Sequence, residues 1–228
     1  MSTLRVDADP DDPTFSPDTA VTAFLALIRS RGSLAGADLR GLDLRMQNLC
    51  GARLADANLS QANLTRANLI GADLSRANLR GAVLTAARLS GATLNGADLF
   101  MARLVHADLS GASLHQTTLY RTDLQRANLH GVKASRADMR FARLPFCSLT
   151  AGDFSGVYLS QADLTNANLT GSKLRAATLT GAVLVDADLT GADLRWANLS
   201  YATLTGAVMT GVLYDNATYW PQGFSPPR

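Results

Sequence analysis

Leucine or a close substitute recurs at every fifth position from Leu34 to Met209, through thirty-six units without one insertion. Alanine usually stands two residues before each of these positions, as at Ala57 and Ala62. In an extended segment, residues two apart point to the same side, so the leucine and its alanine should face inward while the residue between them faces outward. We therefore expect each unit to place one large and one small side chain in a narrow core.

The remaining two residues of each unit must turn a corner, and small or polar residues such as Gly, Ser, Asn and Asp are frequent there. Eight glycines fall on a twenty-residue spacing that only Ala151 interrupts: Gly51, Gly71, Gly91, Gly111, Gly131, Gly171, Gly191 and Gly211. This column indicates four units per coil, and the unbroken five-residue register excludes a six-residue, three-sided repeat. Thirty-six units then form about nine coils, and a spacing of ~4.8 Å between them gives a rod ~43 Å long.

The units match the pattern A(D/N)LXX, as in the segments ANLTR, ANLIG, ADLSR, ADLTN and ANLTG. In this respect the chain resembles the pentapeptide-repeat proteins over residues 34 to 213, about four fifths of its length. The resemblance implies a right-handed quadrilateral β-helix, often dimeric through one end, and as a rule no catalytic activity.

The ends of the chain depart from the repeat. Residues 1–15 contain four Asp and two Pro, which predicts a flexible arm. Residues 16–32 begin with an N-cap and a proline and carry apolar residues at helical spacing, so they predict a short helix that caps the first coil. The repeat domain is assigned to residues 33–213.

Residues 214–228 are rich in aromatic residues and proline. Four aromatic residues are candidates for a C-terminal cap over the last coil or for a contact with a second subunit: Tyr214, Tyr219, Trp220 and Phe224. Capping is the favoured interpretation, because an uncovered last coil would expose an aggregation-prone edge.

One coil, between Gly131 and Tyr158, is irregular. Ala134 replaces a core leucine, Cys147 and Gly152 take inward alanine positions, and Pro145 follows a unit centre. Because proline cannot donate a backbone hydrogen bond, a bulge or bend is expected at Pro145. Phe154, in a nearby core position, is expected to refill lost volume.

The overall charge is close to balanced, with 21 Lys and Arg against 19 acidic residues, all of them Asp. Residues 53–143 alone carry a net charge of +6. No secretory signal and no apolar run of ~18 residues is apparent, so we expect a soluble, cytoplasmic protein without a membrane partner.

The sequence offers no reactive set of side chains. The three histidines, His106, His115 and His130, project from different sides, which argues against a shared metal ion. Cys50 and Cys147 lie about five coils apart, roughly 24 Å and too far for a disulfide. Opposite charges alternate at twenty-residue spacing, which predicts ladders of ion pairs: Arg103, Asp123, Arg143 and Asp163; Lys133, Asp153, Lys173 and Asp193; Arg53 and Asp73. We expect no enzyme, no cofactor and no metal site.

One side departs from this pattern, with exposed aromatic, Arg and Met residues contiguous over about four coils. The candidate partner-binding residues are Arg80, Phe100, Met101, Tyr120, Arg121, Arg140, Phe141 and Tyr158. These residue types are enriched in interface hot spots. The alternative is an internal ladder in which Phe100 stacks on Tyr120 and Arg140 adds a cation–π contact.

The leading hypothesis is therefore a non-catalytic protein-interaction scaffold. A second hypothesis follows from the resemblance, because some pentapeptide-repeat proteins mimic duplex DNA, bind DNA gyrase and protect it from inhibitors. The positive central segment counts against such mimicry. Binding of nucleic acid is a third and weaker hypothesis, because it relies on few unpaired cations: Arg66, Arg80, Arg121, Arg126 and Arg140.

Overall fold

The repeat forms a four-sided β-helix. The structure, a computed structural model, describes residues 33–226. Parallel β-bridges join one outward residue of each unit, the one before the central residue, to its equivalent twenty positions later, from Asp38 and Asn58 to Asp193 and Leu213. Each side contributes a one-residue bridge per coil rather than a longer strand, and no helix occurs within residues 33–226. Four pentapeptides per coil are thus confirmed.

The predicted arm at 1–15 and the predicted capping helix at 16–32 lie outside the described residues. Within the described range, no helix is long and apolar enough to cross a membrane. The number of coils in the whole chain stays a prediction.

The four sides are named here by their central residues. Side A is centred on Leu34 and every twentieth residue after it, side B on Leu39, side C on Leu44 and side D on Leu49. Within a unit, positions one to five follow the order of Ala62–Asn63–Leu64–Thr65–Arg66. Positions one and three face the core, position two forms the bridge, and positions four and five make the corner.

The third-position side chains of all four sides meet in one core, with the first-position alanines between them. Leu64 and Ala62, for example, are fully buried, and this pattern continues to Leu199 with few substitutions. The predicted inward pairing of one large and one small residue per unit is confirmed. Because the core is so narrow, nearly all side-chain variation is displayed outward.

In the interior coils, four of the five backbone N–H groups of each unit bond to backbone carbonyls. Leu64, for example, donates to Val83 in the next coil at 2.7 Å, and Asn63 donates to Leu42 in the preceding coil at 2.9 Å. Among residues 33–226, the N–H group of position four does not donate to any backbone carbonyl. That group is left for a side chain.

Where position two is Asp or Asn, its side chain supplies the missing acceptor. Asp73 Oδ1 accepts the N–H of Ser75 at 3.0 Å and its hydroxyl at 2.6 Å. The hydroxyl bond and then the N–H bond hold the pKa of Asp73 below its ordinary value, and Thr190 does the same for Asp188. A carboxylate or amide on a single methylene reaches its own unit two residues on, which explains the preference for Asp and Asn in the repeat.

The fifth position of every unit from Gly36 to Gly211 has a positive φ angle. Twenty-one of these positions hold residues other than glycine, with φ between 53° and 61°. A positive φ angle is strained for a residue with a Cβ atom, and glycine avoids that strain. The glycine column therefore marks the corner after side D, but all four corners have the same conformation.

The bulge or bend expected at Pro145 is absent. The bridges of Arg143 to Asp123 and to Asp163 are intact, and the Pro145 carbonyl accepts the N–H of Arg126 at 3.0 Å. Pro145 stands at position four, where no backbone hydrogen bond is lost, and Arg143 two residues earlier has no acceptor to offer. The prediction was wrong because it assumed that every outward N–H group donates to a backbone carbonyl, whereas the N–H group of position four does not.

Phe154 refills the core as expected. Its ring is fully buried and occupies the space beside Gly152, where a Cβ atom would collide with it. Ala134, one coil earlier on the same side, is also fully buried. Gly152 in place of the usual inward alanine and Ala134 in place of a leucine thus make room for one phenylalanine.

The bridge ladder continues past residue 213 with a single added residue. Tyr219 bridges to Asn198, twenty-one positions earlier. Asp215 accommodates the added residue, because its carboxylate accepts the N–H of Trp196 at 3.2 Å. The first part of the expected cap is therefore still β-helix.

Candidate partner-binding surface

The candidate surface is built on corner positions, which point away from the core on consecutive coils. Phe100 and Tyr120 occupy position four on side B, and Phe141 occupies position five one coil later. The rings of Phe100 and Tyr120 stack with centroids 6.0 Å apart and an interplanar angle of 14°. Tyr120 then meets Phe141 edge to face at 5.3 Å. The three rings form one continuous ladder along the rod.

Arginines cover this ladder. The guanidinium carbon of Arg80 lies 4.3 Å from the centre of the Phe100 ring, and that of Arg140 lies 5.5 Å from Tyr120. Both arginines also pair with aspartates of side B: Arg80 with Asp98 at 2.8 Å and Arg140 with Asp138 at 2.7 Å. These two arginines are held in place by the chain itself.

The pKa of the Asp138 carboxyl is lowered, against the effect of burial, by the ion pair with Arg140. Burial acts to raise its pKa, but the hydrogen bonds from Arg140 outweigh that effect, so the pKa lies below its ordinary value. Asp138 therefore stays ionised at neutral pH and fixes the guanidinium of Arg140.

Arg121 differs from Arg80 and Arg140. Its guanidinium carbon lies 5.6 Å from the Tyr120 ring centre and 5.8 Å from that of Phe141. Within residues 33–226 it makes no ion pair, and its side chain is exposed. A stacked guanidinium without a carboxylate is free to bind one from outside.

The outer part of the surface is apolar. Met101, Phe141 and Tyr158 expose 49%, 44% and 48% of their area, whereas Phe100 and Tyr120 are half-buried. Tyr158 forms a β-bridge with Asp138, which places it one coil beyond Arg140 on side B. The structure thus brings all eight predicted residues onto side B and its corner with side C.

A second pair of the same type was missed from the sequence. Arg126 lies over Phe146 at 5.6 Å, and Phe146 is 51% exposed. These two residues stand five positions after Arg121 and Phe141, on the opposite corner of side C in the same two coils. The signal was available, since the spacing of twenty between Arg126 and Phe146 repeats that between Arg121 and Phe141.

Side C and its two corners carry four arginines with no ion pair among the described residues: Arg66, Arg103, Arg121 and Arg126. Arg66, Arg121 and Arg126 stand at corner positions with no acidic residue twenty positions away, whereas Arg103 belongs to a predicted charge ladder.

In the predicted ladders, residues of opposite charge do lie next to each other on adjacent coils. Of these predicted pairs, only Arg143 and Asp123 form an ion pair within residues 33–226, at 3.3 Å. Asp73, Asp153 and Asp163 instead accept hydrogen bonds from their own units. Arg103 has no ion pair because its neighbour Asp123 is paired with Arg143.

At the C-terminal end, three of the four predicted aromatic residues come together. Trp220 meets Tyr214 edge to face at 5.5 Å and stacks on Phe224 at 5.3 Å, and Trp220 and Phe224 pack against the core. Tyr219 lies outside this cluster, with 65% of its area exposed. Trp196 and Tyr201 are further exposed aromatic residues, at 55% and 83%, that the sequence did not single out.

In the described part of the chain, the histidines and cysteines lie apart from one another and from any cluster of acidic residues. No group of His, Cys, Asp or Glu within residues 33–226 is arranged to hold a metal ion. The imidazole nitrogens of His115 and His130 lie 2.6 and 2.7 Å from the hydroxyls of Ser135 and Thr150, one coil further on. Cys50 is exposed and Cys147 buried, and both are free thiols.

Solved structures similar to this rod include those of HetL and QnrB1. HetL from the cyanobacterium Nostoc sp., a pentapeptide-repeat protein involved in heterocyst differentiation regulation, has 29% identity and a TM-score of 0.55. The match covers 90% of this chain and 98% of HetL. QnrB1, a plasmid-mediated fluoroquinolone resistance protein, has 19% identity and a TM-score of 0.64, with 78% and 92% of the two chains covered, and it shows the fold alone. No curated protein matches the sequence.

The family model for pentapeptide repeats, whose fold is the right-handed β-helix, matches nearly all of the described rod. The matched residues are 33–66, 62–99, 102–140, 142–181 and 177–212. The chain therefore belongs to the pentapeptide-repeat family.

Proposed function

We propose that this protein is a non-catalytic scaffold that binds a protein partner through the corner between sides B and C. The observation that carries the proposal is the ladder of Phe100, Tyr120 and Phe141 with the unpaired Arg121 stacked beside it. A rod of about nine coils presents this surface at a fixed geometry, so little conformational entropy is lost on binding.

The division of roles within the surface favours a partner site over a purely internal ladder. Phe100 and Tyr120 are half-buried and make the support, while Met101, Phe141 and Tyr158 expose about half of their area. Aromatic, Met and Arg side chains with this exposure are the types enriched at interface centres. Contiguous apolar area of this kind on a monomer is often functional.

The test is capture of partners from a lysate by the wild-type chain and by a variant with Phe100, Tyr120 and Phe141 replaced by Ser. The variant is expected to lose the captured proteins while its circular dichroism spectrum stays unchanged. Trp196→Ser removes an exposed aromatic residue near the C-terminal end, away from the partner surface, and serves as the control. Equal capture by the wild-type chain and the triple variant would refute the proposal.

Because Phe100 and Tyr120 are half-buried, their loss could weaken the coil itself. A second variant, Arg121→Gln with Phe141→Ser, changes only exposed side chains and keeps the stacked pair. Loss of capture in this variant assigns the effect to the surface.

Binding to DNA gyrase as a mimic of duplex DNA is the alternative function. The four unpaired arginines on side C count against it, because a DNA mimic needs a strongly negative surface. Gyrase supercoiling in the presence of a quinolone discriminates between the two functions. The scaffold proposal predicts no protection at excess protein, whereas protection would favour the alternative.

For the C-terminal aromatic cluster we propose a capping role, supported by the packing of Trp220 and Phe224 on the core. A homodimer through this end is the competing assignment. Sedimentation equilibrium separates them, since a cap predicts a monomer at micromolar concentration and the same mass after Tyr219→Ser.

A further inference from the structure

The four unpaired arginines and two exposed phenylalanines define a surface that we call the side-C strip: Arg66, Arg103, Arg121, Arg126, Phe141 and Phe146. Arg121 with Phe141 and Arg126 with Phe146 form parallel cation–π pairs, at 5.8 and 5.6 Å, on the two corners that border side C. Arg103 lies on the face between these corners, one coil before Arg121 and Arg126, and is exposed. Each border of side C thus carries a guanidinium stacked on an exposed phenylalanine. On the face between the borders, Arg103 is exposed, while Asp123 and Arg143 pair with each other.

The chemistry that fits the strip is an acidic peptide segment with apolar side chains. Guanidinium groups bind carboxylates through paired hydrogen bonds, and stacking on an aromatic ring holds the guanidinium in position without neutralising it. Asp123, on the same face, is engaged by Arg143, so it leaves the other arginines available.

Residues 1–15 of this chain have this composition. They carry Asp7, Asp9, Asp11 and Asp12 against the single Arg5, and they include Leu4, Val6 and Phe15. An extended chain would present Asp7, Asp9 and Asp11 on one face. The central segment of the rod, at net +6, is complementary to them.

The distance between the segment and the strip allows contact within one molecule. The described rod begins at Ser33, and Arg121 lies four coils further on, about 19 Å along the axis at ~4.8 Å per coil. Residues 16–32 span about 25 Å even if helical, and fifteen extended residues add about 50 Å. Tethering also gives the segment an effective concentration in the millimolar range, so a weak intrinsic affinity is sufficient.

We propose that the acidic segment 1–15 binds the side-C strip of its own chain. The binding is electrostatic and reversible, and it covers Arg121 and Phe141, which also belong to the partner surface. It does not depend on the partner-binding function proposed above, because the contact is defined within a single chain. An external partner at this surface would have to displace the segment.

The experiment uses the full chain with Phe146 replaced by the photo-crosslinker benzoylphenylalanine. Irradiation should link position 146 to the tryptic fragment Val6–Arg29, identified by mass spectrometry. Crosslinker at Thr190 on side D is the matched control and should give no such link. Replacing Asp7, Asp9, Asp11 and Asp12 by Asn should lower the yield at least fivefold, and 0.5 M NaCl should do the same, because salt screens exposed charges.

Three outcomes would overturn the inference. These are absence of the linked fragment, equal yields from positions 146 and 190, and a yield unaffected by the Asp→Asn changes. A crosslinked dimer whose yield rises with protein concentration would assign the contact to a second copy instead and would equally contradict binding within one chain. A double variant of the strip, Arg121→Gln with Arg126→Gln, should lower the crosslink yield as the Asp→Asn changes in the acidic segment do.

Discussion

Asn63 Oδ1 accepts both the backbone N–H of Thr65, at 3.1 Å, and the Thr65 hydroxyl, at 2.7 Å. The same pair of bonds recurs in other units in which Asp or Asn precedes the central leucine and Ser or Thr follows it, as at Asp73 with Ser75 and Asp163 with Thr165. In these units it satisfies the one N–H group that the β-helix leaves unpaired.

The first prediction concerns this bond. Asn63→Ala should lower the free energy of unfolding by about 1 kcal/mol, because the Thr65 N–H group then has only water as a partner. Asn63→Asp keeps the acceptor and should have a much smaller effect at pH 7. The midpoint of urea unfolding measures both, and equal losses in the two variants would contradict the role of the acceptor.

The same hydrogen-bond scheme predicts where proline is tolerated. Val185→Pro places proline at position four, as Pro145 does naturally, and the residue two earlier is Val183, which has no acceptor to lose. We expect a destabilisation below about 1 kcal/mol. Val183→Pro instead removes the bond from its N–H to Ala162, now 2.9 Å, and should cost about 3 kcal/mol or more.

Unfolding midpoints of the two proline variants provide the comparison. Similar destabilisation by Val185→Pro and Val183→Pro would show that proline acts through sterics at both sites and not through the missing N–H group.

How far the sequence predicts the structure depends on which positions are constrained by the core. The inward pairing of Leu64 with Ala62, the four-sided coil and the refilling by Phe154 follow from volume and period, which the sequence displays directly. The regular coil at Pro145 could not be foreseen, because it depends on which N–H group the β-helix leaves free.

The unpaired state of Arg121 and Arg126 follows from the sequence, because no acidic residue stands twenty positions from either. The ion pairs of Arg80 with Asp98 and of Arg140 with Asp138 do not follow from it, because they join residues eighteen and two positions apart, which a spacing of twenty does not reveal.

A third prediction follows from a buried hydroxyl. Ser172 Oγ is buried without a hydrogen-bond partner within the described residues, at an inward position where alanine is the usual residue. Thr122 at an equivalent position donates its hydroxyl to the Leu99 carbonyl at 2.8 Å. Ser172→Ala should therefore raise the free energy of unfolding by about 1 kcal/mol, and Thr122→Val should lower it by about 1 kcal/mol.

Thermal and urea unfolding of the two variants measure these opposite signs. A destabilised Ser172→Ala variant would indicate that the hydroxyl has a partner in solution, such as a buried water molecule.

The last prediction concerns the two thiols. Burial raises the pKa of Cys147 to about 12, and its Sγ donates to the Leu124 carbonyl at 2.8 Å, whereas Cys50 is exposed. Because the thiolate is the nucleophile, a maleimide at pH 8 should modify Cys50 alone in the native protein and both thiols in urea. Cys50→Ser should leave no native adduct by mass spectrometry, and rapid native labelling of that variant would contradict burial of Cys147. The folded state holds the neutral thiol, so this group's contribution to stability is complete below about pH 8.5 and is lost as the pH rises toward 12.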